Sequence, residues 1–166
     1  MIWSFLEYRT AAIYHCSATL LDEIDAVQSC FLRRLHISPI DAAMHFNFLP
    51  LCTRRDIAML GLLHRSFLGY GPTHFKKFFY VVPGTNKLAD PYRQRPYTSG
   101  PWNRHTPSIT YSALGLISVY NSLDSWIRNN RSVSEFQSAL TEYVRSQIRI
   151  GLPQWEKTFC PRLHGQ

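Results

Sequence analysis

Along residues 17–39, "SATLLDEIDAVQSCFLRRLHISP", apolar side chains recur at three- and four-residue steps: Leu20, Ile24, Val27, Phe31 and Leu35. That period gathers them into one stripe and predicts an amphipathic helix whose stripe turns to the core. Asp22, Glu23 and Asp25 fall in its early turns and Arg33, Arg34 and His36 in its last, the order the helix macrodipole favours; Pro39 ends it. Residues 38–51 read as a short helix closed by Asn47 and Pro50. The next segment, "LCTRRDIAMLGLLHR" (51–65), predicts a helix capped by Thr53, with Asp56 three residues on. Its inner face is Ile57, Leu60, His64 and Phe67 or Leu68, and "GYGP" (69–72) ends it. Gly61 lies on that face, and an interior glycine costs about 1 kcal/mol, so a second helix is expected to approach closely there.

Two more helical patterns follow. Residues 112–127 carry Leu114, Ile117, Val119 and Tyr120, then "NSLDSWI" as a tight turn. Residues 132–151 open with Ser132 and Glu135 in capping-box spacing and carry a stripe of Val133, Phe136, Leu140, Tyr143, Val144 and Ile148; Gly151 and Pro153 stop it. Residues 1–15 are apolar and aromatic, compatible with a helix start or with another buried segment. Trp155 and Phe159 are available to anchor the C-terminal tail.

Between these parts, residues 72–110 lose periodicity and hold six prolines, with a strand or short helix expected near 74–82. The expected organisation is one mainly α domain, an irregular helical bundle with a long Pro-rich basic loop. Its parts are an N-terminal helical part (1–71), a Pro- and aromatic-rich basic connector (72–110) and a C-terminal helical part (111–166).

Composition adds location and partner class. At 166 residues and 45% hydrophobic, the chain has the apolar surface for one real core. No apolar run is long enough to span a bilayer and the N-terminus lacks the build of a signal peptide, so the expectation is a soluble, intracellular chain, cytoplasmic or nuclear, with no membrane partner. The formal charge of +7 is concentrated: residues 1–50 carry a net −2, residues 51–110 +7 and residues 111–166 +2. A basic surface of that kind attracts polyanions, although a solvated basic face has the same composition. Cys16, Cys30, Cys52 and Cys160 are scattered without a C-x-x-C pair, which points to reduced, mostly buried thiols and no zinc site.

Candidate chemistry is sparse. No phosphate-binding glycine loop, metalloprotease or serine-hydrolase motif is present, and no cofactor or metal is expected. The one carboxylate cluster, Asp22, Glu23 and Asp25, suits the helix dipole better than a two-metal centre, and His64 reads as a hydrogen-bonded core residue. The remaining signal is cationic: Arg54, Arg55, Arg65, Lys76, Lys77, Arg93 and Arg95, interleaved with aromatic rings that can stack on bases. Arg54 and Arg55 sit at a helix start, where positive charge is disfavoured by about 0.3–1 kcal/mol each. A nucleic-acid phosphate would offset that, and so would an internal ion pair with the acidic 22–25 segment.

Three stretches, "IDAVQSCFLRRL" (24–35), "LPLCTRRDIAMLGLLHR" (49–65) and "VYNSL" with "SVSEFQSAL" (119–123 and 132–140), resemble the C-terminal, post-palm (thumb and connector) region of non-LTR retrotransposon reverse transcriptases. The resemblance covers nearly the whole chain. It implies a parent RNA-directed DNA polymerase, a transposable-element origin, and a piece that steadies the template–primer while a missing polymerase palm domain supplies the catalytic aspartates. The family's paired-aspartate motif is absent here, so no catalytic residue carries over. "NSLDSW" also lacks the proline that usually follows "NSL" in the family. The partners implied are RNA or DNA backbone and the palm; an alternative is a helical protein-interaction module with no nucleic-acid role.

Overall fold

A computed structural model describes residues 10–71, 73–90 and 112–161. Among these, α1 is Thr10–Ile13, α2 Ala18–Arg34, α3 Pro39–His45, α4 Leu51–Phe67, α5 Leu116–Ser122, α6 Ser125–Arg128 and α7 Val133–Ile150. Two 3-10 turns, Thr73–Lys77 and Trp155–Lys157, complete the helical elements. The fold is mainly α, an irregular bundle; an isolated antiparallel bridge between Val81 and Leu88 is its one strand-like pairing among the described residues. Residues 1–9, and residues 91–111 with Arg93, Arg95 and Arg104, lie outside the described residues.

α4 is the central element. It packs most extensively on α7 and also meets α1, α2, α5 and the last 3-10 turn. Leu60, Leu63, Leu116, Ile117, Tyr120, Ile127, Phe136, Leu140 and Val144 fill the core between them, and Phe159 of the tail seals one end. The close approach expected at Gly61 is against α7: a Cβ there would overlap the Gln137 carboxamide.

α7 follows its pattern. Phe136, Leu140 and Val144 are buried at four-residue steps. Ser132 Oγ accepts the Glu135 amide at 3.1 Å, and Gly151 closes the helix in the left-handed conformation at φ 74°. Ser132→Ala should therefore lower stability by about 1 kcal/mol, read as a shift in urea midpoint at unchanged slope.

Two expectations need correction. α4 starts at Leu51, directly after Pro50, and Thr53 lies inside it; the Thr53 hydroxyl donates to the Glu156 carbonyl at 2.6 Å. Its cap comes from another helix. Buried Gln28 of α2 accepts the Leu51 amide through Oε1 (2.7 Å) and donates to the Leu49 carbonyl through Nε2 (3.0 Å). The earlier start puts Arg54 and Arg55 deeper in the helix, where the dipole penalty fades.

The second correction concerns the face of α2. The buried residues are Leu21, Gln28 and Leu32, whereas Leu20, Val27, Phe31 and Leu35 are 43–50% exposed. Leu21, Asp25, Gln28 and Leu32 themselves recur at helical spacing, and the two polar members make specific bonds to α4. Those bonds fix the rotation of the helix and leave the more apolar stripe facing outward.

Within the expected connector, residues 73–90 lie on the core rather than apart from it. Phe79 and Leu88 are buried, and Asn121 holds Leu88 as a strand partner would, accepting its amide at 2.9 Å and donating to its carbonyl at 2.8 Å. No helix among the described residues is long and apolar enough to cross a membrane.

Candidate functional site

The paired arginines separate. Arg55 is buried and donates to both oxygens of Asp25, Nη1 to Oδ1 at 2.5 Å and Nη2 to Oδ2 at 2.8 Å. Burial alone would lower its pKa, but the hydrogen bonds and charge of Asp25 outweigh that and hold it above the usual value. Both guanidinium nitrogens that a phosphate would use are engaged, so Arg55 is withdrawn from the nucleic-acid set: the internal pair is its role. Asp25 likewise serves Arg55 rather than only the dipole of α2. Arg54 is half-buried with its guanidinium 5.5 Å from the Phe48 ring centroid, a cation–π contact.

The other described candidates reach the surface. Arg65, in the last turn of α4, is exposed and its Nε donates to the Tyr70 carbonyl at 3.3 Å. Lys76 and Lys77 are exposed on the 3-10 turn that follows. Arg93 and Arg95 lie outside the described residues.

Next to Arg65 is an open groove between the end of α4 and the link joining α6 to α7. Tyr70, Asn86, Arg128, Asn129 and Arg131 line it, and no carboxylate does among the described residues. The Tyr70 ring is 70% exposed. Arg128 is held in place by bonds from Nε to the Leu123 carbonyl (2.9 Å) and from Nη1 to the Asn86 carbonyl, while Arg131 is exposed to solvent. No hydrophobic period marks these residues. Their one sequence signal is "RNNR" (128–131), two arginines around two asparagines where one helix stops and the next has not begun.

His64 fixes this wall from beneath. Its Nε2 lies 3.0 Å from the Asn130 carbonyl, which only accepts, so Nε2 carries the proton and Nδ1 accepts from the Tyr120 hydroxyl at 2.9 Å. The imidazole stacks on Phe136 with centroids 4.0 Å apart and planes within 6°. Burial lowers its pKa, partly offset by the bond to Asn130, and the net shift favours the neutral ring. This is the core role its place in the pattern suggested.

A second cleft, beside the Asp25–Arg55 pair, is lined by Cys52, Asp56 and Cys160. Burial, and secondarily the charge of Asp25, push the Cys52 thiol up to about 12, so it remains protonated and is a poor nucleophile. Asp56 accepts the Tyr14 hydroxyl at 3.0 Å. None of the four cysteines is in a disulfide, and the expectation of mostly buried thiols fails: Cys30 is exposed and Cys16, Cys52 and Cys160 are half-buried. No group of metal-binding side chains assembles among the described residues.

No protein-family model, curated protein or solved structure matches the chain. Its function has to be read from its own surface.

Proposed function

We propose that this chain is a non-catalytic helical domain of a reverse transcriptase of the non-LTR retrotransposon kind, and that it holds nucleic acid while a palm domain carries out the chemistry. The observation that carries the binding half of this reading is the groove, free of carboxylates among the described residues, that the exposed Tyr70 ring lines together with Arg128 and Arg131. Cations engage phosphates without regard to sequence, and an exposed ring offers a stacking platform to an unpaired base. Arg65, Lys76 and Lys77 are further exposed cations outside the groove lining. The polymerase half rests on the resemblance in residues 24–35, 49–65 and 119–140. On this reading the chain works in the cytoplasm or nucleus.

The test is fluorescence anisotropy at low salt with a labelled single strand and a labelled hybrid duplex. Wild type should bind both. Tyr70→Ala should weaken the single strand about tenfold and the duplex less, since one stacked base contributes about 1–3 kcal/mol. Arg131→Glu should weaken both. Both side chains are exposed, so the fold should be unchanged by circular dichroism. Equal affinity across the three proteins would remove the groove from the account. Absence of binding at low salt would favour the rival reading, a helical protein-interaction module, which the outward apolar face of α2 supports.

A further inference from the structure

Arg128 and Arg131 put two positive charges on one groove. Arg128 ends α6, and the chain keeps winding beyond it: the Asn129 amide donates to the Ser125 carbonyl at 2.9 Å and the Asn130 amide to the Ile127 carbonyl at 3.4 Å. Arg131 follows about one turn later, and both side chains line the groove. Neither forms an ion pair among the described residues. The nearest carboxylates along the chain, Asp124 and Glu135, are not on the groove lining. Its other polar side chains, those of Tyr70, Asn86, Asn129 and Asn130, are neutral hydroxyl and carboxamide groups. No negative charge of the described residues balances the two arginines there.

Their attachment differs. The Arg128 guanidinium is half-buried and holds two carbonyls of the fold, Leu123 through Nε and Asn86 through Nη1. Its Nη2 has no partner among the described residues, so one donor group remains on a guanidinium already fixed in place. A side chain immobilised in this way loses little freedom when it takes a ligand. Arg131 is exposed, makes no hydrogen bond among the described residues, and has its whole planar fork available for an anion.

The charge of the ligand follows from that pair. An internal phosphodiester carries one negative charge, whereas a phosphate monoester carries about −1.5 to −2 at pH 7 and presents three acceptor oxygens. A monoester balances both arginines at a single phosphorus, with oxygens for Nη2 of Arg128 and for the fork of Arg131. The Tyr70 ring, 70% exposed on the same groove, offers its face to the adjoining base. We propose that the groove is an end-binding site that takes the terminal phosphate of a single strand on Arg128 and Arg131 and its last base on Tyr70, an assignment that rests on the nucleic-acid reading of the groove and narrows its ligand to a strand end.

Competition anisotropy on the full chain tests it, with unlabelled strands of one sequence that differ only in the end group. A terminal phosphate should compete about tenfold better than a terminal hydroxyl, and a methyl phosphate, which is a monoanion, should recover only a small part of that gain. A gain at the 5′ or the 3′ end supports the site and fixes the polarity of the strand in it. Arg131→Gln should cut the advantage of the phosphate to about threefold or less, with a wild-type melting temperature, because its side chain makes no bond in the fold. Arg128→Lys keeps the charge but cannot hold two carbonyls and a phosphate in one plane, so it should lose the advantage as well. Equal competition by phosphate, methyl phosphate and hydroxyl ends would overturn the end-binding site while leaving the groove as a surface for internal phosphates. A phosphoserine peptide that competes as well as the phosphorylated strand would overturn it in favour of a phosphoprotein partner. Failure of every strand to bind would remove the nucleic-acid reading itself, and the end-binding site with it.

Discussion

His64→Ala is expected to destabilise the chain by about 3–5 kcal/mol. The imidazole is fully buried and stacked on Phe136, so truncation leaves a ring-sized void between α4 and α7. It also strands two polar groups in the core, the Tyr120 hydroxyl and the Asn130 carbonyl. Tyr120 cannot escape by ionising, because burial raises its pKa well above that of a free tyrosine. His64→Phe separates the terms: it restores the stacked ring but not the hydrogen bonds, and should recover part of the loss in a urea titration.

The same histidine sets a pH dependence of definite sign. Its folded pKa lies below the unfolded value of about 6.5, so between the two the unfolded chain binds more protons than the folded one. Stability is then indifferent to this group above about pH 7 and falls as pH drops below about 6.5, by at most about 1.4 kcal/mol per pH unit. Stability curves of His64→Phe should lack that acid-side contribution. An identical pH profile in wild type and variant would show that His64 is not the group responsible.

The second large effect belongs to Asp25→Ala, expected to cost about 2–4 kcal/mol. Arg55 would keep its charge, with 7% of its side chain exposed and no carboxylate opposite. The lower end of the range reflects Asp25, whose side chain is 25% exposed and already partly hydrated. Replacing both partners, Asp25→Leu with Arg55→Met, should return most of the loss, because buried pairs often contribute little over an apolar substitute. A double-mutant cycle in denaturant reads the coupling directly. Additive single-mutant costs would mean that the two side chains do not act as a pair in solution.

These two sites also show what the amino-acid pattern could and could not reveal. The helical spans of α2, α4 and α7 were legible from three- and four-residue periodicity and from stop signals such as Pro39 and Gly151. The facing of α2 was not. Half of its inward line is Asp25 and Gln28, and a hydrophobic period cannot register a polar side chain turned inward for a specific bond to a segment 20 or more residues away. The start of α4 was misread for a related reason: its cap comes from Gln28 across the core, and local spacing offered Thr53 instead.

The candidate site was partly legible. Arg65, Lys76 and Lys77 were visible as charge in the middle third, and all three are exposed. Tyr70, Arg128 and Arg131 come together through long-range contacts: His64 on Asn130, Asn121 on Leu88 and Arg128 on Asn86. Such contacts span 33 to 66 residues of chain, well beyond any periodic signal.

The most direct measurement is the salt dependence of oligonucleotide affinity for the intact chain. If Arg65, Lys76, Lys77 and Arg131 together engage about four phosphates, a plot of log K against log salt concentration for a single strand should be linear with a slope near −3. Arg131→Glu should make that slope shallower. A slope near zero, or no binding at low salt by a folded chain, would contradict the claim that this surface is built for phosphate.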